Sequence, residues 1–85
     1  MSYTVLIERR AQRELAKIAQ PHRDRIISSI WHLAENPRPP GVKKLSGRDA
    51  WRIRIGSYRV LYEIHDAKLV VLVVEVGDRR DVYRG

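Results

Sequence analysis

Three arginines, Arg52, Arg54 and Arg59, carry the clearest chemical signal in the chain. They lie in the stretch WRIRIGSYRVLYEI, residues 51–64, where apolar and polar residues alternate on both sides of Gly56-Ser57. Alternation of this period marks half-buried strands. A two-residue join led by glycine suits a type II′ hairpin turn. The turn then sets the register. Ile55 faces Tyr58, Arg54 faces Arg59, Ile53 faces Val60, Arg52 faces Leu61 and Trp51 faces Tyr62. One face carries Trp51, Ile53, Ile55, Tyr58, Val60 and Tyr62, and reads as core. The other gathers the three guanidinium groups. Like charges directly opposite destabilise a sheet, whereas planar forked guanidinium groups match phosphate well. The cluster reads either as an anion site or as a solvated face whose arginine stems cover apolar surface.

The tail can add to this set. Arg79 and Arg80 follow the last strand, and Tyr83 lies four residues beyond Arg79. An aromatic ring among cations can hold an unstacked base beside a held phosphate. Other chemistries find little support. His22, His32 and His65 have no metal-ligand spacing, and cysteine is absent, so no metal site, disulfide framework or thiol nucleophile is expected. No phosphate-cradling glycine loop is present. Ser28, Ser29, Ser46 and Ser57 lack the strained elbow of a hydrolase serine. Glu63 and Glu75 read as structural ion-pair partners rather than as an acid–base pair.

Charge points the same way as the arginines. The formal net charge is +7 in 85 residues, of which residues 1–36 contribute +2 and residues 37–85 contribute +5. Six cations and one acid, Asp49, fall between Lys43 and Arg59. A basic stripe on a small domain implies a polyanionic partner, whether nucleic acid, an anionic membrane surface or an acidic protein. Lys43, Lys44, Arg48 and Arg80 are the candidate phosphate contacts around the cluster. No apolar run approaches the roughly 20 residues of a membrane span, and no basic amphipathic helix favours a membrane surface. No signal peptide is evident at the start of the chain. These features lead us to expect a cytoplasmic protein.

The remaining elements must position that hairpin. Residues 3–8, YTVLIE, read as a first strand. A helical pattern follows over residues 9–19 and stops at Gln20-Pro21, because the residue before proline avoids the helical region. Pro21 can open a second helix, whose apolar face is Ile26, Ile27, Ile30, Leu33 and Ala34. Asn36-Pro37 ends it. Residues 38–49, RPPGVKKLSGRD, read as a long basic loop anchored by Leu45. After the hairpin, residues 68–76, KLVVLVVEV, are apolar on both faces and so form a central strand. The order is β-α-α-β-β-β in one domain spanning residues 1–85. The expected fold is α+β: a helical hairpin packed on one face of an antiparallel sheet, the first strand beside the last, the arginines on the open face.

The segments KKLSG, WRIRIGSYRVLYEI and VVEVGDRRDVYRG, with YTVLIERRAQREL at the start, resemble the RelE toxins of type II toxin–antitoxin pairs. The resemblance spans almost the whole chain and implies the RelE/ParE-like, microbial ribonuclease-like fold. It implies a metal- and cofactor-independent endoribonuclease that cuts mRNA in the ribosomal A site, by attack of a 2′-hydroxyl on the adjacent phosphate. Matched onto this chain, Arg52 and Arg54 handle proton and charge, Arg59 holds the scissile phosphate, Arg79 assists the transition state and Tyr83 stacks on the displaced base. The well-studied members carry lysines at positions 52 and 54. Arginine effectively never loses its proton in a protein, so neither Arg52 nor Arg54 is a convincing general base; Tyr83, its phenol acidified by nearby cations, and a ribosomal RNA group are candidates for that role. The family further implies an acidic, partly disordered cognate antitoxin, contact with ribosome and mRNA, and operator DNA reached only through the antitoxin. Three alternatives share the fold: a ParE-like DNA gyrase inhibitor, a non-catalytic RNA-binding module, and an inactivated toxin kept for repression.

Overall fold

The computed structural model describes residues 2–78, so Arg79, Arg80 and Tyr83 lie outside the described residues. Five strands and two helices follow in the order β1 (Thr4–Ile7), α1 (Arg9–Ala16), α2 (His22–His32), β2 (Lys43–Lys44), β3 (Trp51–Ile55), β4 (Tyr58–His65) and β5 (Val70–Asp78). They build one sheet in the order β1-β5-β4-β3-β2. The hairpin pairs in the expected register throughout, from Trp51 opposite Tyr62 to Ile55 opposite Tyr58. Gly56 has φ +61°, and Ser57 is not among the residues of positive φ. That combination is the type II′ turn, since type I′ needs positive φ at both positions.

The central-strand assignment holds: β5 lies between β1 and β4. Strands β2 to β5 are antiparallel, while β1 runs parallel to β5. The two helices carry the chain from the end of β1 back across one face of the sheet, which makes the mixed pairing possible. Beyond the end of β1 the edge of β5 is covered by α1. The backbone N–H of Val76 donates to Glu14 Oε1 at 2.9 Å, and Arg10 bridges to Glu75 at 2.9 Å.

Helix α1 buries Ala11 and Leu15, and α2 buries Ile26 and Ile30. These pack with Ile18 and Leu33 on Val60, Tyr62, Val71, Val73 and Val76. Trp51, Ile53, Ile55 and Tyr58 border this core and are half-buried. The helices therefore cover the predicted face. Leu45 is not the anchor of the 38–49 segment. Both Leu45 and Val42 are half-buried, but it is Val42 that packs on the core, between buried Pro37 and Ala50. Nor is the segment all loop, because Lys43 and Lys44 pair with Arg52 and Trp51 as a two-residue edge strand.

Tyr62 ties that segment to the core. Its hydroxyl donates to the carbonyl of Pro37 at 2.7 Å from a fully buried ring. Burial pushes the phenol well above the usual tyrosine range. Tyr62→Phe strands the Pro37 carbonyl without its donor. We expect a loss of about 1–2 kcal/mol, read as a lower midpoint in urea with an unchanged slope.

Candidate active site

Strand alternation places Arg52 and Arg54 of β3, and Arg59, Leu61 and Glu63 of β4, on the face away from the helices. Arg54 and Arg59 are direct cross-strand neighbours. Arg54 is exposed and Arg52 half-buried, but Arg59 is only 5% exposed. The reading of all three as a freely solvated row therefore fails at Arg59. Its Cα partner on β5 is Gly77, which leaves the neighbouring strand without a side chain beside it.

Strand β2 splits the two adjacent lysines between faces. Lys44 sits opposite Trp51, with Nζ 5.9 Å from the ring centroid. It also lies 3.9 Å from Asp49. Lys43 sits opposite Arg52 and so joins the arginine face. Of the candidate cations, the geometry brings Lys43, Arg52, Arg54 and Arg59 together. Lys44 stands on the other face. Arg48 is an exposed turn residue outside the strands. Arg79, Arg80 and Tyr83 lie outside the described residues.

Sequence reasoning missed a second basic group. Arg38 lies over the Trp51 ring at 5.1 Å. Its Nη atoms donate to both carboxylate oxygens of Asp66, at 3.3 and 3.0 Å. Tyr3 donates to the same carboxylate at 2.6 Å. Hydrogen bonds from Arg38 and then Tyr3 hold the Asp66 carboxyl below its ordinary range, and the bond to Asp66 raises the Tyr3 phenol. No local signal joins residues 3, 38 and 66, since only the fold brings them together.

The titratable carboxylates play structural parts. Glu63 Oε1 lies 2.9 Å from His65 Nε2, and Glu75 pairs with Arg10. His32 Nδ1 is 2.8 Å from the Ser28 carbonyl oxygen. Among the described residues, His, Asp and Glu nowhere gather in threes that could hold a metal ion. No helix among the described residues is long and apolar enough to cross a membrane. What remains on the face away from the helices, exposed at Lys43 and Arg54 and covered at Arg59 and Leu61, is a compact set of cations. Such a set can bind phosphate and stabilise added negative charge on it.

Comparison with known proteins places the chain in a family. Residues 5–83 match the family model described as the ParE toxin of the type II toxin–antitoxin system parDE. The mRNA interferase toxin RelE of Escherichia coli K12 is 31% identical over 87 residues, covering 98% of this chain and 92% of RelE. Toxin RelG of Mycobacterium tuberculosis is 32% identical, with 99% of each chain covered. The toxin–antitoxin complex RelBE2 of the same organism contains a chain that superposes with a TM-score of 0.83 at 27% identity, over 93% of this chain and all of that one. The fold and these matches define a toxin of the type II toxin–antitoxin class. Within that class the chain belongs to the RelE family.

The Tyr3–Asp66–Arg38 group yields a prediction with two signs. The Asp66 carboxyl is lowered on folding, so its contribution is present above the ordinary carboxylate range and is lost as pH falls through the folded value. The Tyr3 phenol is raised, so its contribution is present below about 10 and is lost as pH rises through the folded value. We expect Asp66→Asn to lower the thermal midpoint at pH 7 and to matter least in strong acid. Tyr3→Phe should flatten the alkaline limb of the same profile. Midpoints measured from pH 2 to 11 check both.

Proposed function

We propose that this chain is the toxin of a type II pair and acts as an endoribonuclease on mRNA held in the ribosome. The single observation that carries the reading is the gathering of Lys43, Arg52, Arg54 and Arg59 on the open sheet face. The naming of a 31% identical relative as an mRNA interferase supports it. In the reaction the 2′-oxygen bonds to the adjacent phosphorus as the bond to the 5′-oxygen breaks. The products are a cyclic phosphate and a 5′-hydroxyl. Arg54 and Arg59 hold the scissile phosphate and, with Arg52, stabilise the extra negative charge of the pentavalent phosphorane. None of the three takes the 2′-hydroxyl proton, because arginine keeps its own. From the family resemblance, Arg79 stabilises the leaving 5′-oxygen by charge and hydrogen bonding while water supplies its proton, since arginine keeps its own, and Tyr83 stacks on the displaced base. Tyr83 or a ribosomal RNA group accepts the proton. Arg48, Lys44 and Arg80 contribute phosphate contacts to the ribosome.

The neighbouring RelBE2 structure is a toxin–antitoxin complex. By the same reasoning we assign this chain a cognate antitoxin whose acidic segment covers the cationic face. Operator DNA is then reached through that antitoxin. A second reading, inhibition of DNA gyrase, is favoured by the ParE description of the matched family model.

Primer extension on a defined message in a reconstituted translation system tests the proposal. We expect breaks within codons at the A site, absent without ribosomes and reduced at least a hundredfold by Arg54→Ala, on the scale of one lost transition-state donor. Arg59→Ala is the weaker test, since Arg59 is buried and its loss also disturbs packing. Arg59→Lys preserves charge and most of the volume while removing the fork. Intact message with translation stopped would leave an RNA-binding module. Intact message with translation unaffected would direct attention to a supercoiling assay and gyrase.

A further inference from the structure

The two lysines of β2 part company, and the one that turns to the open face changes the shape of the site. Lys44 sits against Trp51, on the side of the helices. Successive strand residues point to opposite faces, so Lys43 points the other way, beside Arg52. Asp49, the one acid between residues 43 and 59, lies toward Lys44. The open face thus carries two cationic rungs. One is Arg54 with Arg59 across β3 and β4, and the other is Lys43 with Arg52 across β2 and β3. In each rung an exposed cation stands beside a more deeply set one. The two rungs stand side by side on one face.

The rungs are two residues apart along β3 and one strand apart across it. At about 3.4 Å per residue and about 4.8 Å between strands, their centres lie roughly 8 Å apart on the diagonal. That is close to one nucleotide of extended backbone, and the flexible lysine stem takes up the difference.

We propose that Lys43 forms a second phosphate subsite, for the phosphate adjoining the one held by Arg54 and Arg59, with Arg52 standing between the two and shared by both. The RNA backbone then crosses the sheet diagonally from β4 toward β2. Lys43 touches a phosphate that does not react, so its part is to bind and orient the strand. The inference rests on the endoribonuclease reading in assigning the first rung to the scissile phosphate.

The test uses ribosomes programmed with a message that carries a single methylphosphonate, an uncharged linkage, on one side or the other of the A-site cleavage position. Binding by co-sedimentation and single-turnover cleavage are measured for wild type, Lys43→Ala and Lys43→Arg. On the unmodified message Lys43→Ala should weaken binding roughly tenfold, the scale of one charge-assisted contact. Lys43→Arg should restore it. The slope of log affinity against log salt should shrink by about 0.7, one single-strand phosphate contact. With the methylphosphonate on one side, wild type should be weakened by the same factor and Lys43→Ala should lose nothing more. Losses that multiply at both positions would overturn the subsite. Binding without cleavage would sink the nuclease reading, while the coupling between Lys43 and the linkage still decides this one. Absence of wild-type binding would overturn both.

Discussion

The register of β3 against β4 is the constraint on which the rest of the molecule depends. Side chains alternate along a strand with period two, so a slip of one residue exchanges the faces. In the slipped pairing Arg52 and Arg54 would lie beneath α2, the helix that packs on β3. Removing guanidinium groups from water costs several kcal/mol each without compensating partners. Trp51, Ile53 and Ile55 would meanwhile face solvent. The type II′ turn at Gly56-Ser57 and burial of the apolar face select the same register. The arginine cluster is therefore held in place by the core on the far side of the sheet. Tyr62 and Val60 beneath α2 are as much a condition of the site as the arginines themselves.

The second requirement is a β5 long enough to flank that cluster. Strand β1 pairs with β5 only as far as Ile7 opposite Val73, which leaves the rest of β5 with an open edge. Exposed edges invite pairing with other chains. Here α1 covers the edge directly. Glu8 donates its backbone N–H to the Val73 carbonyl at 2.9 Å, and Glu14 accepts from Val76. Between Leu61 and Tyr62 the β4–β5 register shifts by a bulge, after which Gly77 arrives opposite Arg59. The first helix, remote from the arginines in sequence, thereby protects the strand that walls their far side.

Where sequence reasoning succeeded, it used local periodicity. The hairpin register, the two helices, the central place of β5 and the split between apolar and arginine faces all follow from patterns within about fifteen residues. Where it failed, the cause was non-local. Strand β2 is two charged residues whose pairing is imposed by β3. The parallel direction of β1 depends on how two helices return the chain. The burial of Arg59 depends on neighbours that no spacing discloses. The Arg38 clamp joins residues 28 positions or more apart in sequence through Asp66 and Tyr3. Sharing of a face was legible; depth within it was not.

The choice of arginine at positions 52 and 54 has a physical logic of its own. Crowded cations push one another toward neutrality, and a lysine among them yields its proton most readily. A lysine at position 52 or 54 could serve as a base, but it would do so by surrendering charge at the point where the proposed phosphorane needs it. Arginine resists that loss, so the face keeps its full positive field through the reaction. The consequence is a division of labour. On the endoribonuclease reading proposed above, the sheet supplies fixed electrostatic stabilisation, and proton transfer is left to a group outside the β3–β4 hairpin. On the proposed reading, the pH dependence of the rate then reports that outside group rather than the cations that bind the phosphate.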